Sequence, residues 1–301
     1  MRFITEEEIL QLNIQPTECI KWVEKAFALK YDSQLPAKVS VHPTGNDFIT
    51  TMPCLLPPQY KAFGVKVVSR VKGRKPSLKS DLMLFDTESG LLKAIVETDW
   101  ITSMRTGAVA TLAIKTFRKS TASVYSFIGL GNTARATMKC MLSMFSHEKF
   151  TVRLFKYKNQ AELFIKDFEG YPNVNFEIAE SIADLIEGTD VLISCITDAS
   201  GVIAEDTSLF SPGILVVPVH TRGFQNCDLV FDKIFADDTN HVRGFKYFSQ
   251  FKSFAEISDV LYKNTPGRVN DQERILSYNI GLGLHDVFYA NEIYKRLKSA
   301  R

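Results

Sequence analysis

Residues 123–142, SVYSFIGLGNTARATMKCML, constrain the fold more than any other stretch of the chain. An apolar run from Val124 to Ile128 has the aromatic and branched composition of a buried strand, and it ends at Gly129-Leu130-Gly131. A segment with apolar residues at Ala134, Met138, Met141 and Leu142 follows directly, which predicts a strand, a tight turn and a helix. In that setting the small residues have separate tasks. Gly129 permits the turn, Gly131 lets the backbone approach a pyrophosphate, and Ala134 lets the helix pack on the strand. The helix N-terminus adds free N–H groups and a dipole, so the expectation is a dinucleotide site. Gly129, Leu130, Gly131, Asn132, Thr133 and Ala134 are its candidate residues.

A chain of 301 residues has room for such a domain and a second one. Its 36 basic and 34 acidic residues include no basic block, which argues against a nucleic-acid partner. No apolar run reaches membrane length, and MRFITEEEIL is acidic where a signal peptide is basic, so a soluble cytoplasmic protein without a membrane partner is expected. Five scattered cysteines and five histidines without ligand spacing suggest neither a disulfide framework nor a metal.

Upstream, Thr5-Glu6-Glu7-Glu8 reads as a capping signature and Pro16 as the start of a second helix. Residues 38–71 change to β-rich pieces in which Lys38 and Lys66 lie in or beside apolar strands; the ordinary role of such lysines is to keep a sheet edge soluble. GRKPSLKS, 73–80, reads as a polar loop, and LMLFD with LLKAIVE as a hairpin. In DWITSMRTGAVATLAIKTF, 99–117, Thr102 or Ser103 is the expected cap of a buried helix with Arg105 in its first turn. A cation there opposes the helix dipole, which suits an anion site better than it suits stability.

Downstream, KFTVRLFKYK reads as the second strand of the nucleotide fold, with Lys156, Tyr157 and Lys158 at the end that faces the adenosine ribose. Cations rather than a carboxylate at this place favour NADP(H) over NAD(H). Further strands alternate with helical segments: one ends at Thr197, one leads into His220-Thr221-Arg222-Gly223, and a glycine-rich turn leads into a long C-terminal amphipathic helix. The fold class expected is α/β, a doubly wound Rossmann domain over 119–275 plus an α+β substrate and dimerisation domain over 1–118, completed by 276–301.

With these pieces in place the chain resembles the ornithine cyclodeaminase and mu-crystallin family nearly end to end. The marks are Met52-Pro53, Gly64-Val65-Lys66, Leu84-Phe85-Asp86 with Ser89-Gly90, Ile101-Thr102 with Arg105-Thr106, the 129–134 motif, Ala236-Asp237-Asp238, Pro266-Gly267-Arg268 and Ile280-Gly281 with Asp286. The resemblance implies a homodimer and three cationic contacts to the α-carboxylate of a small amino or imino acid, from Lys66, Arg105 and Lys38. Met52, Thr221 and Gly281 join these as substrate candidates. Arg105, Thr106, Lys156, Tyr157, Lys158, Thr197 and Ile280 join the glycine loop as cofactor candidates. Catalysis is expected of Lys66, Arg105, His220 and Arg222.

One departure shapes the functional reading. Relatives that deaminate ornithine or oxidise alanine carry an aspartate followed by Pro-Gly-Lys in the loop where this chain has VHTRGFQNCDL, and Thr221-Arg222 is more similar to the Ser-Arg of mu-crystallin. An arginine neither holds an amine by charge nor takes its proton at neutral pH. Asp228 is the one carboxylate of this loop in a position to come round into the site. The expectation is a nicotinamide-dependent oxidoreductase at the α-carbon, favoured as a ketimine reductase. A cyclodeaminase or amino-acid dehydrogenase is the alternative, and a non-catalytic NADPH-dependent binding protein is the alternative from another class.

Overall fold

The computed structural model describes residues 1–196, 203–220 and 224–299. The chain forms two compact units, Met1–Arg105 with Leu282–Arg301, and Thr106–Gly281.

In the first unit Thr5 and Glu8 form the expected reciprocal cap of a short helix, Glu6–Gln11, and Pro16 opens the helix Pro16–Ala28. The sheet has six strands in the order Arg2–Ile4, Leu92–Glu97, Leu78–Asp86, Ala62–Arg70, Phe48–Leu55 and Val39–Val41. The first pair is parallel and the remainder antiparallel. The polar loop expected through Ser80 ends earlier, because Leu78, Lys79 and Ser80 already pair with Arg70, Ser69 and Val68. Strand alternation puts Met52, Gly64, Lys66, Leu82, Leu84 and Val96 on one buried face. The C-terminal helix, Gly283–Ser299, packs against it at two glycines. A Cβ on Gly64 would lie 2.7 Å from a Val287 methyl, and one on Gly283 would lie 2.9 Å from the Met52 carbonyl oxygen. This helix is not amphipathic along its whole length: Gly283 to Asn291 are all buried.

The second unit holds eight parallel strands in the order Phe254–Glu256, Lys233–Ala236, Ile275–Tyr278, Leu215–Pro218, Val191–Ser194, Val124–Ile128, Phe150–Phe155 and Val174–Ala179. This is the doubly wound sheet that alternating strands and helices predict. Its limits differ from the expected 119–275. Thr106–Phe117 belongs to it because Gly107 lies against the backbone of Ala136 and Thr137, and because Phe117 stacks on Phe235 with ring centroids 4.0 Å apart. Ile275–Tyr278 belongs to it because this strand pairs with both Leu215–Val216 and Lys233–Ala236.

All five cysteines are buried and unpaired. Among the described residues no group of three or more His, Cys, Asp or Glu is placed to hold a metal ion, and no helix is long and apolar enough to cross a membrane.

Candidate active site

In the first unit, two of the expected cations converge on one residue. Lys66, on the buried sheet face between Met52 and Leu82 of the neighbouring strands, donates from Nζ to Asp286 Oδ1 at 2.9 Å. Arg105 donates from Nε to the same oxygen at 3.0 Å. Lys66 and Asp286 are 0% exposed and Arg105 is 6% exposed. Among the described residues, Asp286 Oδ2 is buried with no hydrogen-bond partner, at a cost of about 1–3 kcal/mol for an unmet acceptor. A cluster selected for stability alone would spread two donors over two oxygens.

Charge follows the same logic. Burial lowers the pKa of Lys66 to about 8; Asp286 opposes that fall, and Arg105 and Lys38 add to it. Burial pushes the Asp286 carboxyl up, yet the Arg105 and Lys66 charges outweigh it and leave its pKa below the ordinary value. At neutral pH the cluster therefore holds two cations against one carboxylate, with the half-buried Lys38 close enough to bear on Lys66. An excess positive charge in the interior is stabilised by an incoming anion.

The helix carrying Arg105 corrects one expectation. It runs from Asp99 to Phe117, so Thr102 and Ser103 lie inside it and Arg105 is beyond the first turn. Asp99 is fixed by the Ser80 backbone N–H at 2.8 Å, and Ser103 Oγ donates back to the Asp99 carbonyl at 3.0 Å. Arg105 is therefore not set against the helix dipole; it is held by Asp286 instead.

In the second unit the glycine loop has the geometry a dinucleotide needs. Gly129 has φ +82°, and a Cβ there would lie 2.7 Å from the Cys195 backbone. Gly131 precedes the helix Asn132–Met144, which has no side-chain cap, and a Cβ at Gly131 would meet nothing within 4 Å. The backbone is thus bare where phosphates approach, and the N-terminal N–H groups are not taken by a capping side chain. Leu130 and Ala134 are buried supports, with Asn132 exposed and Thr133 half-buried. These residues fit a nicotinamide dinucleotide.

At the end of the second strand, Lys156 is not a free cation: its Nζ lies 2.6 Å from Glu180 Oε1, one residue beyond the neighbouring strand. Tyr157 is exposed, and Lys158, at φ +53°, places its ammonium 5.2 Å from the Tyr157 ring centroid. His220 follows the strand Leu215–Pro218 and its Nε2 is 2.6 Å from Ser194 Oγ. Thr106 is buried near the start of this unit, and Ile280 and Gly281 close it, with the Gly281 N–H donating to Asp237. Thr197, Thr221 and Arg222 lie outside the described residues.

Asp228 does not stand in for the missing loop aspartate by being open to solvent. It is 1% exposed and accepts a 2.6 Å hydrogen bond from the Tyr278 hydroxyl. Burial raises its pKa to about 6, against the effect of that bond.

The model of the ornithine cyclodeaminase/mu-crystallin family matches residues 2–301. The chain belongs to this family. A Bacillus cereus protein named Δ1-pyrroline-2-carboxylate reductase is 26% identical over 78% of this chain and 78% of its own length. Two solved structures share the fold. A Thermococcus litoralis Δ1-pyrroline-2-carboxylate reductase in complex with NADH and L-proline has TM-score 0.87 and 22% identity, covering 100% of this chain and 98% of its own. An archaeal alanine dehydrogenase dimer with bound NAD has TM-score 0.84 and 22% identity, covering 100% and 97%.

Asp286, Glu180 and Ser194 were not among the expected site residues. Asp286 had a signal, since it is the only carboxylate in the apolar run GLGLHDVFYA. Glu180 and Ser194 had none, because their partners come from other strands.

Proposed function

We propose that this chain is an NAD(P)-dependent oxidoreductase that reduces the C=N bond of a small cyclic imino acid. The observation that carries the reading is the buried Lys66–Arg105–Asp286 cluster, whose excess positive charge suits an α-carboxylate. The family membership and the relative named as a pyrroline-carboxylate reductase support it. When bound, the nicotinamide supplies the hydride that goes to the α-carbon. Arg105 and Lys66 hold the carboxylate, and Lys66, with a pKa of about 8, keeps a proton available for the imine nitrogen. Met52 and Leu82 beside Lys66 favour an uncharged substrate body.

The enclosed position of Asp228 favours this reading over an ornithine cyclodeaminase, which needs a carboxylate for the amine. Incubation with NADPH and Δ1-pyrroline-2-carboxylate, followed at the nicotinamide absorbance, should show stoichiometric oxidation. L-ornithine with catalytic NAD(P) should release no ammonia. Release of equal ammonia and proline without net cofactor change overturns the reductase and restores the cyclodeaminase.

For the cofactor, Lys156 and Lys158 support NADP(H) over NAD(H), by a modest margin because Glu180 neutralises Lys156. For assembly, we infer a homodimer through the second face of the six-stranded sheet. Val39, Val41, Ile49 and Met83 are exposed there, on the face that alternates with the buried one. Light scattering should give twice the monomer mass, and Met83→Lys should lower it.

A further inference from the structure

The family likeness gives Lys66 and Arg105 an anion to bind but leaves open what keeps two buried cations side by side. In the structure one atom does so. Asp286 Oδ1 takes both donors, from a strand and from a helix far apart in sequence, while Oδ2 has no partner among the described residues. The carboxylate is set over Lys66 by helix contacts that only glycines at 64 and 283 allow. The groups that bear on the pair can be named element by element: Lys66 and Cys54 from adjacent strands, Arg105 from the helix Asp99–Phe117, and Lys38 before the edge strand.

We propose that Asp286 is the positioning residue of this site, which fixes Lys66 and Arg105 as one anion clamp through a single carboxylate oxygen. The proposal rests on the reductase reading only for its kinetic test. Repulsion between adjacent like charges and loss of solvation both favour neutral Lys66, and Asp286 is the described carboxylate that opposes them. Without it, Lys66 gives up its proton at lower pH and the clamp loses one of its two cations.

The test compares wild type, Asp286→Asn, Lys66→Met, Lys66→Arg and the double variant Lys66→Met/Asp286→Asn. In wild type, kcat/KM for imine reduction should fall at alkaline pH as Lys66 deprotonates. In Asp286→Asn this limb should move at least one unit to lower pH, with at least a tenfold loss of kcat/KM at pH 8.5 and an unchanged Kd for NADPH. Adding Asp286→Asn to Lys66→Met should move no limb further, because the change acts through Lys66. An unshifted limb in Asp286→Asn overturns the proposal, and so does the same shift in the Lys66→Met background. Should Asp286→Asn not fold, Lys66→Arg decides: guanidinium does not titrate in this range, so the limb must vanish, and its persistence overturns the proposal.

Calorimetric binding of pyrrole-2-carboxylate, an unreactive planar carboxylate, separates this idea from the reductase reading. A protein that binds the probe with the same pH limb and mutant pattern but reduces no imine supports the clamp and defeats the activity. One that does not bind the probe at any pH defeats the clamp as well.

Discussion

Two arginines of this molecule, one buried and one half-buried, are treated in opposite ways. Arg268, in the second unit, donates to four backbone carbonyls: Phe117 at 2.6 Å, Asn270 at 3.3 Å, Glu273 at 2.5 Å and Gly213 at 3.0 Å. Those oxygens lie at a helix end, Phe117, and in loops, Gly213, Asn270 and Glu273, where no ladder or helix bond takes them. Arg105, in the first unit, shares one carboxylate oxygen with a buried lysine. The first cation is saturated and joins backbone segments, whereas the second is kept in a cluster with charge left over. Both are equally prominent in the sequence, so what separates structural from functional charge is the completeness of the partner set.

If that contrast is right, Arg268→Met should be the most damaging change to the fold. It removes donors from three part-buried carbonyls, and about 2–3 kcal/mol of unfolding free energy should be lost, read from the urea midpoint. Arg105→Ala should invert the pattern. Stability should fall less than in Arg268→Met, because Lys66 still neutralises Asp286 and one excess buried cation is gone, while kcat/KM on a confirmed substrate falls roughly 30- to 1000-fold, about 2–4 kcal/mol in the transition state. Equal stability losses in the two variants would erase the distinction.

Asp228 sharpens the contrast from the acidic side, since it is buried and perturbed without belonging to the cation cluster. Its folded pKa of about 6 lies above that of an unfolded aspartate, so the neutral carboxyl favours the fold. That contribution is fully present below about pH 4 and is lost as pH rises through about 6. Wild type should lose on the order of 1–3 kcal/mol between pH 4 and pH 8 from this group, and Asp228→Asn should remove the loss, as urea titrations at both pH values would register. The smallest effect belongs to the exposed pair. Glu180→Gln should release Lys156 and improve NADPH affinity relative to NADH by about fivefold in fluorescence titrations. An unchanged ratio would show that Lys156 does not meet the adenosine phosphate.

Much of this was legible in the residues because the signals were local. The strand, turn and helix at 124–144, the Thr5 cap and the hairpin around Asp86 each follow from neighbours in sequence. Lys66 and Arg105 stood out as cations among apolar residues. What stayed hidden was non-local. The start of the Arg105 helix depends on Asp99 bonding to Ser80 across the sheet, and the tie between Lys156 and Glu180 depends on which strands lie side by side. The division at Gly281 lies a few residues beyond the expected 275 for the same reason, since no local pattern shows that Ile275–Tyr278 joins strands left behind earlier in the chain.

That strand has a consequence for synthesis. It is the last strand in sequence, yet it lies between Leu215–Pro218 and Lys233–Ala236 and carries the pairing that joins them. While the ribosome still holds residue 275, five strands of the sheet can pair on one side and two on the other, with open edges facing each other and no shared ladder. The first unit waits longer still, because its sheet is covered by the helix Gly283–Ser299. A nascent chain stalled at residue 270 should therefore be far more sensitive to protease than the released protein, and truncation of the final 30 or so residues is expected to abolish folding rather than trim a tail.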